Sequence, residues 1–264
     1  MFKFDDNKCY AMPAHFGGYD YVPTGTCYRD VVSITCTYRT DGDRLADYLP
    51  EPFEPIRPEL SVTYSQCREC EWMMGSGYNL VEVCAPARFN GRRDRIEGDF
   101  ALVVWENRTA PILGGREETG IPKIYADIED LHIFQQNYFT NASYEVNTFL
   151  RLELTGVQPV TEQQLAAMKA PRDDRALFGW RYIPNVGGPG AALSQPILYP
   201  QAGELSSAWT GTGTVQWTQL RPEQNPTQWH IIKALAELPI IEMSPAVMTK
   251  AVAILKSMQA RVLE

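Results

Sequence analysis

Between Val32 and Tyr38 the chain alternates with period two. Val32, Ile34, Cys36 and Tyr38 are apolar, and Ser33, Thr35 and Thr37 between them carry hydroxyls. That period, written largely in β-branched residues, predicts a half-buried strand. Asp41 to Tyr48 reads as a short helix, stopped by Pro50 and Pro52. Strand patterns then dominate, over residues 60–66, 78–89, 99–105, 121–128 and 144–154, with turns at Asn90-Gly91 and Gly114-Gly115. Thr161 and Gln164 make a capping-box pattern for a helix to about Lys169. Further strands are expected around 196–200 and 203–218. Asn225-Pro226-Thr227-Gln228 opens a helix with a cap and a first-turn proline, and Trp229, Ile232, Leu235 and Ala236 form its apolar stripe. Ser244-Pro245 repeats the device. It predicts a last helix lined on one side by Val247, Ala251, Ile254, Leu255, Met258 and Val262.

Strands outnumber helices and do not alternate with them, which excludes a doubly wound sheet. The expected fold is mainly β with a few helices (α+β), a closed or nearly closed antiparallel architecture. With no repeat and no long linker, residues 1–264 read as one domain. A hydrophobic content of 44% suffices for a large core. The net charge of −8 argues against a nucleic-acid partner, which requires a clustered basic surface. No apolar run reaches the roughly 18 residues of a membrane span, and Met1-Phe2-Lys3-Phe4-Asp5-Asp6 lacks the apolar stretch of a signal peptide. The expected location is the cytoplasm, with no membrane partner.

The six cysteines do not form a disulfide framework in a chain of this length. Cys67-Arg68-Glu69-Cys70 has metal or redox spacing, but no second ligand pair exists and the flanking residues continue a strand. No metal is expected. His15, His132 and His230 stand at neither triad nor metal spacing. Gly114-Gly115-Arg116-Glu117-Glu118-Thr119-Gly120-Ile121-Pro122-Lys123 draws more notice, because it ends on a lysine at the start of an apolar strand-like run. Such a lysine is either a snorkelling surface residue or an amine kept uncharged by burial.

Four segments, in order, resemble the acetoacetate decarboxylase family. They are Met12-Pro13-Ala14-His15-Phe16-Gly17 with Tyr38-Arg39-Thr40-Asp41 and Leu49-Pro50-Glu51-Pro52; Phe89-Asn90-Gly91 and Gly98-Asp99-Phe100, then Gly115-Arg116-Glu117 closing on Gly120-Ile121-Pro122-Lys123; Trp180-Arg181-Tyr182-Ile183-Pro184-Asn185; and Ala208-Trp209-Thr210-Gly211 with Glu237-Leu238-Pro239. The resemblance implies a cone-like double β-barrel enclosing the active site, and a homo-oligomer. It also implies that Lys123 forms a Schiff base with a keto acid, with no cofactor, because the iminium itself is the electron sink. The attacking amine must be neutral. A free lysine titrates near 10.4, so neutrality at pH 7 costs roughly 4.6 kcal/mol against the charged form.

Three departures from the family pattern shape the remaining expectations. A second lysine commonly follows the nucleophile, and here that place holds Ile124. The family's acidic residue matches Leu80, leaving Glu82, two residues on and on the same strand face, as the candidate general acid/base. A family arginine near the start matches Arg29 only with an insertion. Arg116 and Arg29 are candidates for holding a substrate carboxylate, Arg116 alternatively for pairing with Glu117 or Glu118, and Tyr78 for lining the pocket. The expected activity is a lyase decarboxylating a small, acetoacetate-like β-keto acid. The alternatives are a pyruvate-dependent aldolase-dehydratase using the same lysine enamine, or a non-catalytic small-molecule-binding barrel.

Overall fold

The fold is given by a computed structural model, which describes residues 1–170 and 174–264. In chain order its main elements are β1 (Thr26–Arg39), α1 (Gly42–Ala46), β2 (Glu59–Cys70), β3 (Tyr78–Asn90), β4 (Arg95–Glu106) and α2 (Thr109–Glu117). Then come β5 (Lys123–Tyr125), β6 (Asn137–Tyr144), β7 (Asn147–Pro159), α3 (Glu162–Lys169), β8 (Arg175–Pro184), β9 (Ala191–Trp217), α4 (Trp229–Glu237) and β10 (Ala246–Leu255).

Seven of these strands close on themselves. β1 pairs with β2, β2 with β3, and β3 with β4. β4 then pairs in parallel with β8, β8 with β9, β9 with β10, and β10 returns to β1. Closure removes the free edges that would otherwise template aggregation. β9 is long enough to serve two structures. Its first part completes the ring, and its last part, Trp209 to Trp217, pairs with β7, which carries β6 outward.

The period-two pattern sorts the two faces of the barrel wall. Ile34, Cys36, Tyr38, Leu60, Val62, Tyr64, Val81 and Val83 point outward into the main apolar core. Trp105, Phe149 and Phe178 fill that core with no more than a trace of exposure. The opposite face, with Ser33, Thr35, Ser61, Thr63 and Ser65, lines an internal cavity. The polar half of the alternation therefore faces the inside of the barrel. Aromatic packing ties the barrel to what surrounds it: Trp105 stands 5.0 Å from Phe149 and 6.1 Å from Trp217, ring to ring.

Several expected elements form. The helix at 161 carries both hydrogen bonds of the capping box, and α1 is capped by Asp41. Asn225 makes a turn ahead of α4, its side chain accepting from the Gln228 amide at 3.1 Å, so the helix starts one turn late. Two expectations are corrected. Residues 246–255, expected to be helical, are strand β10, because this segment supplies the rung between β1 and β9 that shuts the barrel. Gly114-Gly115, expected as a turn, lies inside helix α2. Among the described residues no helix is long and apolar enough to cross a membrane.

Candidate active site

Lys123 is placed by its neighbours on both sides. Gly120, at φ +66°, turns the chain out of α2 in a conformation that glycine adopts without strain. Its Cα has no room for a side chain either, since a Cβ would meet the Arg181 backbone nitrogen at 2.7 Å. The Ile121 amide then donates to Gly115 O at 3.0 Å. β5 runs parallel to the end of β4, with Lys123 opposite Val104 and Tyr125 opposite Glu106. From outside, Arg116 donates to the Lys123 carbonyl at 3.0 Å. Gln228 bridges the deeper packing, accepting from Trp105 Nε1 at 2.9 Å and donating to Tyr125 O at 2.8 Å. The strand bearing Lys123 is thus fixed at its entry, along its backbone and at its far end.

The side chain enters a cavity of about 440 Å³. Its Nζ donates to Pro111 O at 3.2 Å and lies 2.8 Å from Glu106 Oε1. The Glu106 side chain is completely buried, and that of Lys123 is 12% exposed. The Nζ–Oε1 contact is close but off the direction of a hydrogen bond, and neither Glu106 oxygen has a directed donor. Burial raises the Glu106 carboxyl above the usual carboxylate range, while the Lys123 charge pulls it back and Glu82 adds to the rise. A carboxyl so placed can hold or release a proton beside the amine.

A second charged group occupies the same cavity. Arg175 donates to Glu82 Oε1 and Asp99 Oδ2, each at 2.8 Å, and to Gln201 at 3.3 Å. The remaining wall is apolar (Leu80, Val104, Ile121 and Leu177) or bears hydroxyls. Among the described lining residues the cations are Lys123 and Arg175 alone.

The expected site residues divide accordingly. Lys123, Glu82 and Tyr78 line the cavity, where Tyr78 is buried and its hydroxyl donates to the Tyr28 hydroxyl at 3.3 Å. Glu82 is committed to Arg175, and the carboxylate in contact with Lys123 is Glu106. Arg29 and Arg116 are not brought to the cavity. Arg29 lies where the register of β1 against β10 shifts, 60% exposed and ion-paired with Glu71. Arg116 is exposed on α2 and spends its guanidinium on a backbone carbonyl. Ile124 packs against the outer core, as the residue after an inward-facing one must. A lysine there would project away from the Lys123 amine.

Sequence reasoning did not single out Glu106, although a signal was present. It closes the run Phe100-Ala101-Leu102-Val103-Val104-Trp105, whose residues are all apolar. A carboxylate that such an apolar strand carries into the interior calls for a partner.

Known proteins are similar to this chain in sequence or in fold. The family described as acetoacetate decarboxylase matches residues 11–254. An acetoacetate decarboxylase of Burkholderia mallei is 29% identical over 245 residues, covering 91% of this chain and 89% of that one. Among solved structures, the acetoacetate decarboxylase of Legionella pneumophila superposes with a TM-score of 0.74 at 20% identity, over 97% of this chain and 93% of that one. The enduracididine biosynthesis enzyme MppR, complexed with the condensation product of pyruvate and imidazole 4-carboxaldehyde, does so with a TM-score of 0.71 at 16% identity, over 96% and 95%.

Proposed function

Because the chain belongs to the acetoacetate decarboxylase family, we propose that it is a lyase that decarboxylates a small β-keto acid through a Schiff base on Lys123. The observation carrying this reading is the Lys123–Glu106 pair, a primary amine 2.8 Å from a fully buried carboxyl inside a closed barrel.

The sequence of steps follows from those two groups. Glu106 accepts a proton from the lysine nitrogen, leaving a neutral amine that attacks the substrate ketone. The proton returns to the carbinolamine oxygen, water departs, and a protonated imine forms. The bond between the α-carbon and the carboxylate then breaks, carbon dioxide leaves, and the electron pair moves through the α-carbon to the imine nitrogen to give an enamine. Protonation of the enamine carbon and attack by water release the ketone and restore the amine. Leu80, Val104, Ile121 and Leu177 give the wall its apolar part. A carboxylate losing its charge as carbon dioxide is favoured beside apolar surface over one held by a cation. Arg175 does not oppose this, being neutralised by Glu82 and Asp99.

A second reading rests on the cavity's size. At about 440 Å³ it can hold a keto acid together with an aldehyde, which suits an aldolase-dehydratase using the same enamine. Carbon dioxide release from acetoacetate alone, abolished in Lys123→Ala, supports the decarboxylase. Pyruvate consumption that requires an aldehyde supports the alternative. A Lys123→Ala variant as active as the wild type defeats both.

A further inference from the structure

The cavity wall facing Lys123 carries hydroxyls that the reacting pair does not use. Two rungs of the barrel pass through the reacting pair. One runs from Lys123 through Val104 and Glu82 to Thr63 and Thr35. The next runs from Glu106 through Leu80 to Ser65 and Ser33. Both therefore end, at the same levels as the amine and its carboxyl, on cross-strand pairs of hydroxyls. The Ser33 and Ser65 oxygens are 2.7 Å apart, and those of Thr35 and Thr63 are 3.0 Å apart. Strands are spaced about 4.8 Å, so Thr63 lies roughly 14 Å from Lys123 measured along the wall. The reacting pair, Lys123 and Glu106, makes no hydrogen bond to these hydroxyls.

Each pair is half-used. Two hydroxyls offer two protons and four lone pairs, and their mutual hydrogen bond consumes one of each. One donor and three acceptor positions per pair remain for whatever occupies the cavity. The wall has no charge of its own, and the cations elsewhere in the cavity are engaged by Glu106, Glu82 and Asp99. Such a surface matches neutral groups that both donate and accept, which is the chemistry of alcohols. It offers nothing to a second anionic group and leaves its polar atoms unpaired against a hydrocarbon chain.

We propose that the substrate is a keto acid extended beyond its reacting carbons by a hydroxyl-bearing chain, which Ser33, Ser65, Thr35 and Thr63 bind. This rests on the Lys123 reading for the reacting end alone.

Calorimetric titration with gluconate and hexanoate tests it, since both are six-carbon monocarboxylates and differ in their hydroxyls. The wild-type protein binds gluconate at least tenfold more tightly than hexanoate. In Thr35→Val/Thr63→Val that preference falls to about twofold or less; should this variant not fold, Ser33→Ala/Ser65→Ala is read in the same way. Equal or tighter binding of hexanoate, or a gluconate preference surviving removal of the hydroxyls in the folded variant, overturns the proposal. Borohydride reduction of the wild type with acetoacetate, run in parallel, reports on the Lys123 reading by itself. Lack of an adduct there, with gluconate preferred, defeats the Schiff base and leaves the hydroxyl wall standing.

Discussion

A Cβ built on Gly115 would fall inside the van der Waals envelope of Lys123 Cδ and Cε and 2.9 Å from its Nζ. The lysine reaches Glu106 by passing over the one helical position where no side chain obstructs it. A glycine inside a helix costs roughly 0.5–1 kcal/mol relative to alanine, so the sequence gives up helix stability at this point to clear a path for the amine. Gly115→Ala should accordingly separate stability from activity. Thermal unfolding should show a protein at least as stable as the wild type, whereas kcat should fall by about 10²-fold, as expected for a misplaced reacting group. A variant of unchanged kcat would mean that the amine's position is set elsewhere.

Glu106 is expected to act as a proton carrier for the amine. Glu106→Gln keeps the volume and removes the acid, and kcat should fall by about 10²–10⁴-fold. Stability should respond in the other direction. Burial raises the folded-state value of this carboxyl above its unfolded one, so its contribution is fully present at low pH and is lost as pH rises through the folded value. Wild-type unfolding free energy should therefore decline relative to Glu106→Gln as pH rises from about 4 towards neutrality. Denaturant titrations of both proteins across that range measure the difference, and parallel curves would contradict the assignment.

Arg175 separates two carboxylates that would otherwise face each other in the cavity. Arg175→Met should destabilise by about 1–3 kcal/mol, a value reduced from that of a deeply buried pair because the guanidinium is 38% exposed. Adding Glu82→Gln should recover part of the loss, since it removes one of the stranded charges. Strict additivity in this double-mutant cycle would show the two side chains to be energetically independent.

One carboxylate, together with backbone bonds from Arg93 and Asp94 to Glu264 O, clamps the C-terminal end of the chain. Asp94 accepts from Arg261 at 2.7 and 2.9 Å and from the Glu264 amide at 2.9 Å, and these bonds hold its carboxyl down at about 2. A depressed acid contributes stability above its unfolded value near 3.8, and the contribution disappears as pH falls through about 2. Asp94→Asn should remove that segment of the acid-unfolding curve. A melting temperature falling equally in both proteins between pH 4 and pH 2 would show that the clamp contributes nothing.

The sequence revealed the barrel more readily than the contents of its cavity. Val32 to Tyr38 declared a strand by period alone, and the Thr161–Gln164 box declared a helix by cap chemistry. Both are local signals, and both formed. β10 carried a helical stripe after a Ser-Pro start, and the need for a closing rung between β1 and β9 overrode it. Gly114-Gly115 has the composition of a turn, and lies in a helix whose second glycine makes way for Lys123. Lys123 was singled out by its motif, and the fold carries its side chain into the cavity. Glu106 was not, because its partner lies 17 residues along and meets it through the parallel pairing of β4 and β5. The hydroxyls of β1 and β2 were visible as a polar face, but a period of two says nothing about whether that face meets solvent or the inside of a closed barrel.

The most direct measurement is the intact mass of the protein after incubation with acetoacetate and sodium borohydride, followed by peptide mapping. Reduction of the imine should add the substrate, or its decarboxylated three-carbon remnant, to one site, and that site should be Lys123. An unmodified protein under conditions in which acetoacetate is consumed, or an adduct on any other lysine, would contradict the account.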